Sequence, residues 1–227
     1  MRLGAAALAA LLILSACAPA EPPPALPGEA VAAPPAGSFT DSPHQASPDG
    51  KNFVFIRTEK AGGRTSLWIA LPGGVQRRLT DERPQPDQPH LNLVGLSRPM
   101  FSPDGAYIYF NARSWPASDS LQSYDLAANR LRYVTDGTLV AVVTGGSLQG
   151  DLILSRHRYS PAGGVFTPIQ LVSPSGRTIS RLDSAGTSTG LATWAASQGL
   201  SLTLPSEPAG PAAAGRSGAP TRSATTY

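Results

Sequence analysis

The sequence predicts an all-β fold, a partial or small β-propeller of three to four blades. A block beginning Ser47-Pro48-Asp49-Gly50 returns as Ser102-Pro103-Asp104-Gly105. The register then holds: Phe55 meets Phe110, Leu71 meets Leu126, Arg77 meets Arg132, and Thr80-Asp81 meets Thr135-Asp136. Self-similarity at a fixed period marks a repeat architecture, and 55 residues with several short strands per copy is a blade length. The 23 glycines and 23 prolines, about a fifth of 227 residues, favour turn-dense β structure over helical bundles.

Each element of the repeat has a local cause. In Ser-Pro-Asp-Gly, proline presets φ, Asp bonds back to the turn backbone and Gly accepts positive φ. Aromatic and β-branched runs follow, Asn52–Ile56 and Tyr107–Phe110, apolar on both faces as in a strand between packed layers. Looser hairpin loops, 61–64 and 115–118, lead to second strands at 66–71 and 121–126. Tight turns at 72–74 and 127–129 precede third strands at 78–81 and 133–136. A degenerate third copy starts at Gly150, with strands at 152–154, 169–172 and 179–183 around a Pro174-Ser175-Gly176 turn. A fourth start, Ala192 to Gly199, has lost the Pro-Asp pair, and one strand, Leu200–Leu204, follows it. Residues 39–46 can pair with that strand and close four small blades. Otherwise the ring stays open, pairs with another chain, or belongs to a truncated relative, and open edges invite aggregation.

The Ser-Pro-Asp-Gly turn, the aromatic strand, Leu67-Trp68, Gly73-Gly74 and Leu79-Thr80 together resemble the blade repeat of TolB-type β-propellers. The resemblance covers residues 39–204, strongly in two copies and weakly in two. The same blade occurs in the propellers of prolyl oligopeptidase-like peptidases. It implies a propeller scaffold and names no reaction, since function resides in sites carried by a fold. TolB itself carries an α/β domain before its propeller, and nothing here matches one.

The N-terminus reads as an address. Arg2 supplies a positive charge, and Gly4–Leu14 is a small and apolar run too short to span a bilayer as a mature helix. It ends in Leu14-Ser15-Ala16-Cys17, which resembles the lipobox of bacterial lipoproteins. There the thiol receives a diacylglyceryl group and the signal is cut before the cysteine. An ordinary signal peptide with an incidental cysteine, or an uncleaved anchor, is the alternative. Several acyl chains anchor firmly, each buried methylene contributing about 0.8 kcal/mol. Ala18 in place of Asp points, by the same resemblance, to the outer membrane, with the protein facing the periplasm. The expected organisation is a signal over 1–16, lipidated Cys17 and a Pro/Ala-rich linker to 38, blades over 39–204 and a disordered tail over 205–227.

Searching for chemistry excludes more than it finds. Cys17 is the only cysteine, so one chain offers no internal disulfide and no cysteine-based metal site. The net charge of +3 is too small for a nucleic-acid footprint. Gly186-Thr187-Ser188-Thr189-Gly190 has the form of a nucleophile elbow, but His44, His90 and His157 all precede it. It reads as a flexible loop. Asp81, Glu82, Asp87 and His90 cluster in a proline-rich connection without ligand spacing, and read as solvated loop. Asp49 and Asp104 read as turn formers and not calcium ligands. His157, between Arg156 and Arg158, reads as a charged surface patch. Trp68, Trp115 and Trp194 read as core or turn aromatics, with Trp115 the best candidate for an exposed contact. No catalytic, metal or cofactor residues are assigned. The expected function is binding of an envelope protein or peptide, with connections 82–99 and 111–120 supplying contacts. A hydrolase or lyase at the propeller mouth, or a truncated protein without independent function, are the alternatives. Oligomeric state is not legible.

Overall fold

A computed structural model describes residues 37–115, 118–159, 163–182 and 188–206. The predicted signal segment, and nearly all of the predicted linker and tail, lie outside the described residues.

The first blade comprises β1 (Phe39–Asp41), β2 (Gln45–Ala46), β3 (Phe53–Glu59), β4 (Thr65–Ala70) and β5 (Gln76–Asp81). β1 and β2 both pair with β3 and form one broken strand. Ser42 bridges the break, its N–H donating to the Ile56 carbonyl at 2.8 Å and its Oγ accepting from Ile56 N at 3.0 Å. The second blade is β6 (Ser97–Phe101), β7 (Tyr107–Trp115), β8 (Ser118–Asp125) and β9 (Arg130–Asp136). The third is β10 (Thr138–Gly145), β11 (Leu152–Ser155), β14 (Ile169–Val172) and β15 (Thr178–Arg181), with a side hairpin of β12 (Arg158–Tyr159) and β13 (Val165–Phe166). Helix α1 (Ser188–Ser197) and strand β16 (Ser201–Thr203) follow. In each blade the strands pair antiparallel in chain order, which is a meander of the kind propeller blades use.

Period-two alternation assigns each strand one neighbour per face. Val54, Ile56, Leu67, Ile69 and Leu79 meet Phe101, Ile108 and Phe110 across the first blade interface. Met100, Tyr109, Leu121 and Val134 meet Leu139, Val142, Leu152 and Leu154 across the second. The far face of the third blade, with Ala141, Val143, Ile153 and Leu171, is covered by Leu191 and Ala195 of α1 and by Leu200. The far face of the first blade carries Phe55 and Trp68, buried under the guanidinium of Arg57 and the ring of His44. Three blades therefore stack as an arc with a lid at each end.

Several expectations change. Residues 39–46 pair with β3, and Ser201–Thr203 pairs with β10, so these two segments do not zip the ring shut. The segment expected to begin a fourth blade is helix α1. Without Pro-Asp there is no turn to set, and Leu191 with Ala192, Ala195 and Ala196 favours helix. Gly199, at φ +64, ends it, with Leu200 N donating to Ala195 O at 2.9 Å. Ser188 to Gly190 of the expected flexible loop belong to that helix, while Gly186 and Thr187 lie outside the described residues. Each blade also has an innermost strand that the repeat reading lacked, β6 and β10 in the second and third. No helix among the described residues is long and apolar enough to cross a membrane.

Candidate functional site

The two Ser-Pro-Asp-Gly turns are built identically. Ser102 Oγ donates to Asp104 Oδ1 at 2.5 Å and accepts from Tyr107 N at 2.9 Å, while Ala106 N donates to the same carboxylate oxygen at 3.0 Å. Ser47, Asp49, Asn52 and Lys51 repeat this at 2.6, 3.0 and 3.1 Å. Gly50 and Gly105 adopt φ of +70 and +71. Both carboxylates sit below the usual range, chiefly because the serine hydroxyl and then a backbone N–H donate to them. They are turn chemistry, as the sequence indicated.

These turns, joining first to second strands, share one face of the arc with the turns joining third to fourth strands. Two cavities lie on this face and share Ser102 and Pro103. The axial one, of about 220 Å³, is lined by Gln45, Ala46, Met100, Phe101, Thr144 and Thr203, so the inner strands of all three blades and β16 converge on it. The outer one, of about 320 Å³, lies between the second and third blades against Asp104, Tyr107, Tyr109, Gln149, Gly150 and Pro174. Together they form a groove from the axis outward. Tyr109 is pushed up to about 12, mainly by burial, so its hydroxyl stays protonated. Burial raises the nearby Asp151 carboxyl. Prolines and aromatic faces alternate with amide and hydroxyl groups. Such a lining suits an extended, uncharged backbone, and its one carboxylate, Asp104, is occupied by its own turn.

The opposite face carries the connections between blades. The connection 82–96 is tied down: Glu82 Oε1 accepts from Thr65 Oγ1 at 2.6 Å and Gly95 N at 2.7 Å, and Arg83 and Leu93 exchange backbone bonds. Leu93 and Leu96 are buried in the first interface, and Asn92 Nδ2 donates to Arg113 O at 3.1 Å. The two ends of this loop wedge two blades together, while residues 83–88, 90 and 91 between them are exposed. Asp81 pairs instead with Arg78 at 3.3 Å, and His90 packs edge-on against Tyr133. Among the described residues no three His, Cys, Asp or Glu side chains gather where a metal could sit.

Arg156 is not surface charge. It is buried, with Nε donating to Asp136 O, Nη1 to Thr178 Oγ1 and Nη2 to Thr135 Oγ1, at 2.9, 3.0 and 2.6 Å. It clamps the second blade to the third. Trp68 is core, its Nε1 donating to Ser66 Oγ at 2.8 Å, and Trp194 packs on the third-blade cluster. The side chain of Trp115, and Cys17, lie outside the described residues. Sequence reasoning missed the groove, whose Tyr109, Gln149 and Thr144 come from two blades. The nearest signal was the continuous β-branched run of Thr138–Gly145.

No protein-family model matches the chain, and no curated protein sequence matches it significantly. Solved structures do. TolB from Acinetobacter baumannii is 19% identical over 61% of this chain and 31% of its own, with a TM-score of 0.41. The β-propeller domain of the Trilobed protease from Pyrococcus furiosus, described as an open velcro topology, is 9% identical over 62% and 42%, at 0.44. Acylaminoacyl peptidase from Pyrococcus horikoshii is 12% identical over 63% and 24%, at 0.44. The chain folds as propeller blades. That statement rests on its strand order, and the chain spans less than half the length of each of these structures.

Proposed function

We propose that this chain is an envelope lipoprotein, held by acyl chains on Cys17 and facing the periplasm, whose blades bind an extended protein or peptide segment. The observation that carries the binding role is the groove across Ser102 and Pro103, where inner strands of three blades meet an interblade cleft. The lining offers apolar faces and neutral hydrogen-bonding groups, which is how concave sites fix a ligand's orientation. The lipobox-like Leu14–Cys17 supports the anchor, and Ala18 supports outer-membrane placement.

The test is affinity capture from envelope extracts with the wild-type chain and a Gln149→Arg variant. Gln149 is exposed, so the arginine fills the groove without disturbing the core. A partner retained by wild type and lost with Gln149→Arg supports the reading. Equal recovery with both chains, or none above background, sinks it. The anchor is tested separately by labelling cells with a radioactive fatty acid. Label should enter the wild-type chain and vanish with Cys17→Ser.

A further inference from the structure

The outer cavity of the groove gathers three hydrogen-bonding side chains that the fold leaves unused. Tyr107, Tyr109 and Gln149 line it beside Pro103 and Pro174, and neither tyrosine hydroxyl nor the Gln149 amide is bonded to any other described residue. The adjoining Ser102 and Asp104, by contrast, are already bonded to each other and to the N–H groups of Tyr107 and Ala106. Turns and strand faces make the walls, not a sheet edge, so an entering segment finds no backbone ladder to join. It meets rings, and side chains that can each donate a hydrogen bond. That suits a proline-rich ligand. Its carbonyls accept, it brings few N–H groups that need acceptors, and its polyproline II form is set before binding. Charge makes no choice here, since Asp104 and Asp151 around Tyr109 stand against Arg132 and Arg177.

The chain itself carries such a segment. Residues 21–27 read Glu21-Pro22-Pro23-Pro24-Ala25-Leu26-Pro27, with four prolines in seven positions and a P-x-x-P spacing from Pro24 to Pro27. They precede the described residues, which begin at 37, ten positions beyond Pro27. At about 3.1 Å per residue in polyproline II, ten residues cover about 31 Å. The seven residues of β3, at about 3.3 Å each, make a blade about 23 Å deep. Residues 37 and 38 lie on the face opposite the groove, beside the loop joining β3 to β4, where Lys60 N donates to Ser38 O at 2.9 Å. The intervening length is therefore enough to pass the first blade and enter the axial cavity beside Gln45, Ala46 and Pro48. Three residues more, about 9 Å, lead on towards the outer cavity.

We infer that residues 22–27 of the chain's own linker lie in this groove and mask it until a competing segment displaces them. Leu26 and Pro27 sit in the axial cavity against Ala46, Met100 and Phe101, and Pro22 to Pro24 sit in the outer one against Tyr107 and Tyr109. The inference rests on the groove being a binding site and adds the regulation of that site. A tether holds its segment at roughly millimolar effective concentration, so a segment whose free peptide binds at about 0.1 mM masks the site about tenfold.

The experiment uses the full chain with Cys17→Ser, so that chains cannot pair through thiols. The probe is a fluorescein-labelled peptide of residues 20–28, followed by anisotropy. It should bind a chain carrying Pro22→Gly, Pro23→Gly, Pro24→Gly and Pro27→Gly about tenfold or more tightly than the parent chain. Adding Gln149→Arg should remove binding to both chains, and a peptide with alanine at the four proline positions should bind neither. Parent and glycine variant should elute alike in size-exclusion chromatography. Equal affinity for the two chains, no binding to either, an alanine peptide that binds as well, or binding that survives Gln149→Arg overturns the inference. A larger species formed by the parent alone places the segment in the groove of a second copy and overturns it too. Capture of an envelope partner that depends on Gln149 can succeed while this masking fails, and masking can hold where no partner is captured, so the two readings fail separately.

Discussion

Arg57 shows how one residue can end a stack of sheets. Its guanidinium makes a bidentate pair with Asp41, both bonds at 2.8 Å, and a third bond to Gln76 Oε1 at 3.0 Å. Its plane lies 3.9 Å from the Phe39 ring and 4.5 Å from Trp68. The position would face another blade in a longer array, and here a satisfied charge closes it. Arg57→Ala should cost about 3 kcal/mol, because it strands Asp41 and uncovers Trp68. A urea unfolding series reads this directly, and Arg57→Lys should recover little, since an ammonium cannot pair in the same fork. Asp49 and Asp104 make a pH-dependent contribution. Their folded pKa values are depressed, so their stabilisation is complete above the unfolded value, near 4, and is lost as pH falls through the folded ones. Asp104→Asn should therefore flatten the acid limb of a stability profile while leaving neutral stability lower.

At the scale of elements, the turn between β14 and β15 determines how closely the second and third blades approach. A Cβ on Gly176 would stand 2.2 Å from the Val134 carbonyl oxygen, and its φ is +92. Gly150 has φ +97 but open space around it. Gly176→Ala should cost well over the about 1 kcal/mol expected for backbone strain at Gly150→Ala, and thermal melts of the two variants make the comparison. The single-residue crossover at Gly137 is held by buried Asn111, whose Nδ2 donates to Gly137 O at 2.9 Å and whose Oδ1 accepts from Leu139 N at 2.8 Å. Strands and turns of the first two blades were legible because aromatic runs and Ser-Pro-Asp-Gly turns are local signals. β6 was not, because Pro99 argues against a strand. A bulge between Ser97 and Met100 accommodates it, with Arg98 at φ +52. Helix α1 was hidden by reading a lost turn as a weakened repeat.

For the whole molecule, the two interblade clusters and the cap on the third blade give the second and third blades apolar partners on both faces, while the first blade is packed on one face and closed on the other by Arg57 and His44. Such coupling predicts one cooperative unfolding transition. Calorimetry with equal calorimetric and van't Hoff enthalpies checks it, and a gradual, non-cooperative melt would favour a decaying fragment. Leu191→Asp, which places a charge under α1, should lower the midpoint by about 6–12 °C, about 3 kcal/mol spread over a domain of this size.

The sequence by itself determined the β class, the blade period and the turn chemistry. Each follows from contacts within a few residues or from a short motif. The tertiary structure decided how the array ends, which face holds a groove and which arginines are surface. Arg156 and Arg158 look alike in sequence, yet one is sunk between blades and the other projects beside Tyr159. The reason is that burial depends on what packs from other repeats, and no local pattern encodes that. Closure follows the same rule. The first and last described strands each found a partner within their own blade, so the described blades end in caps and not in each other.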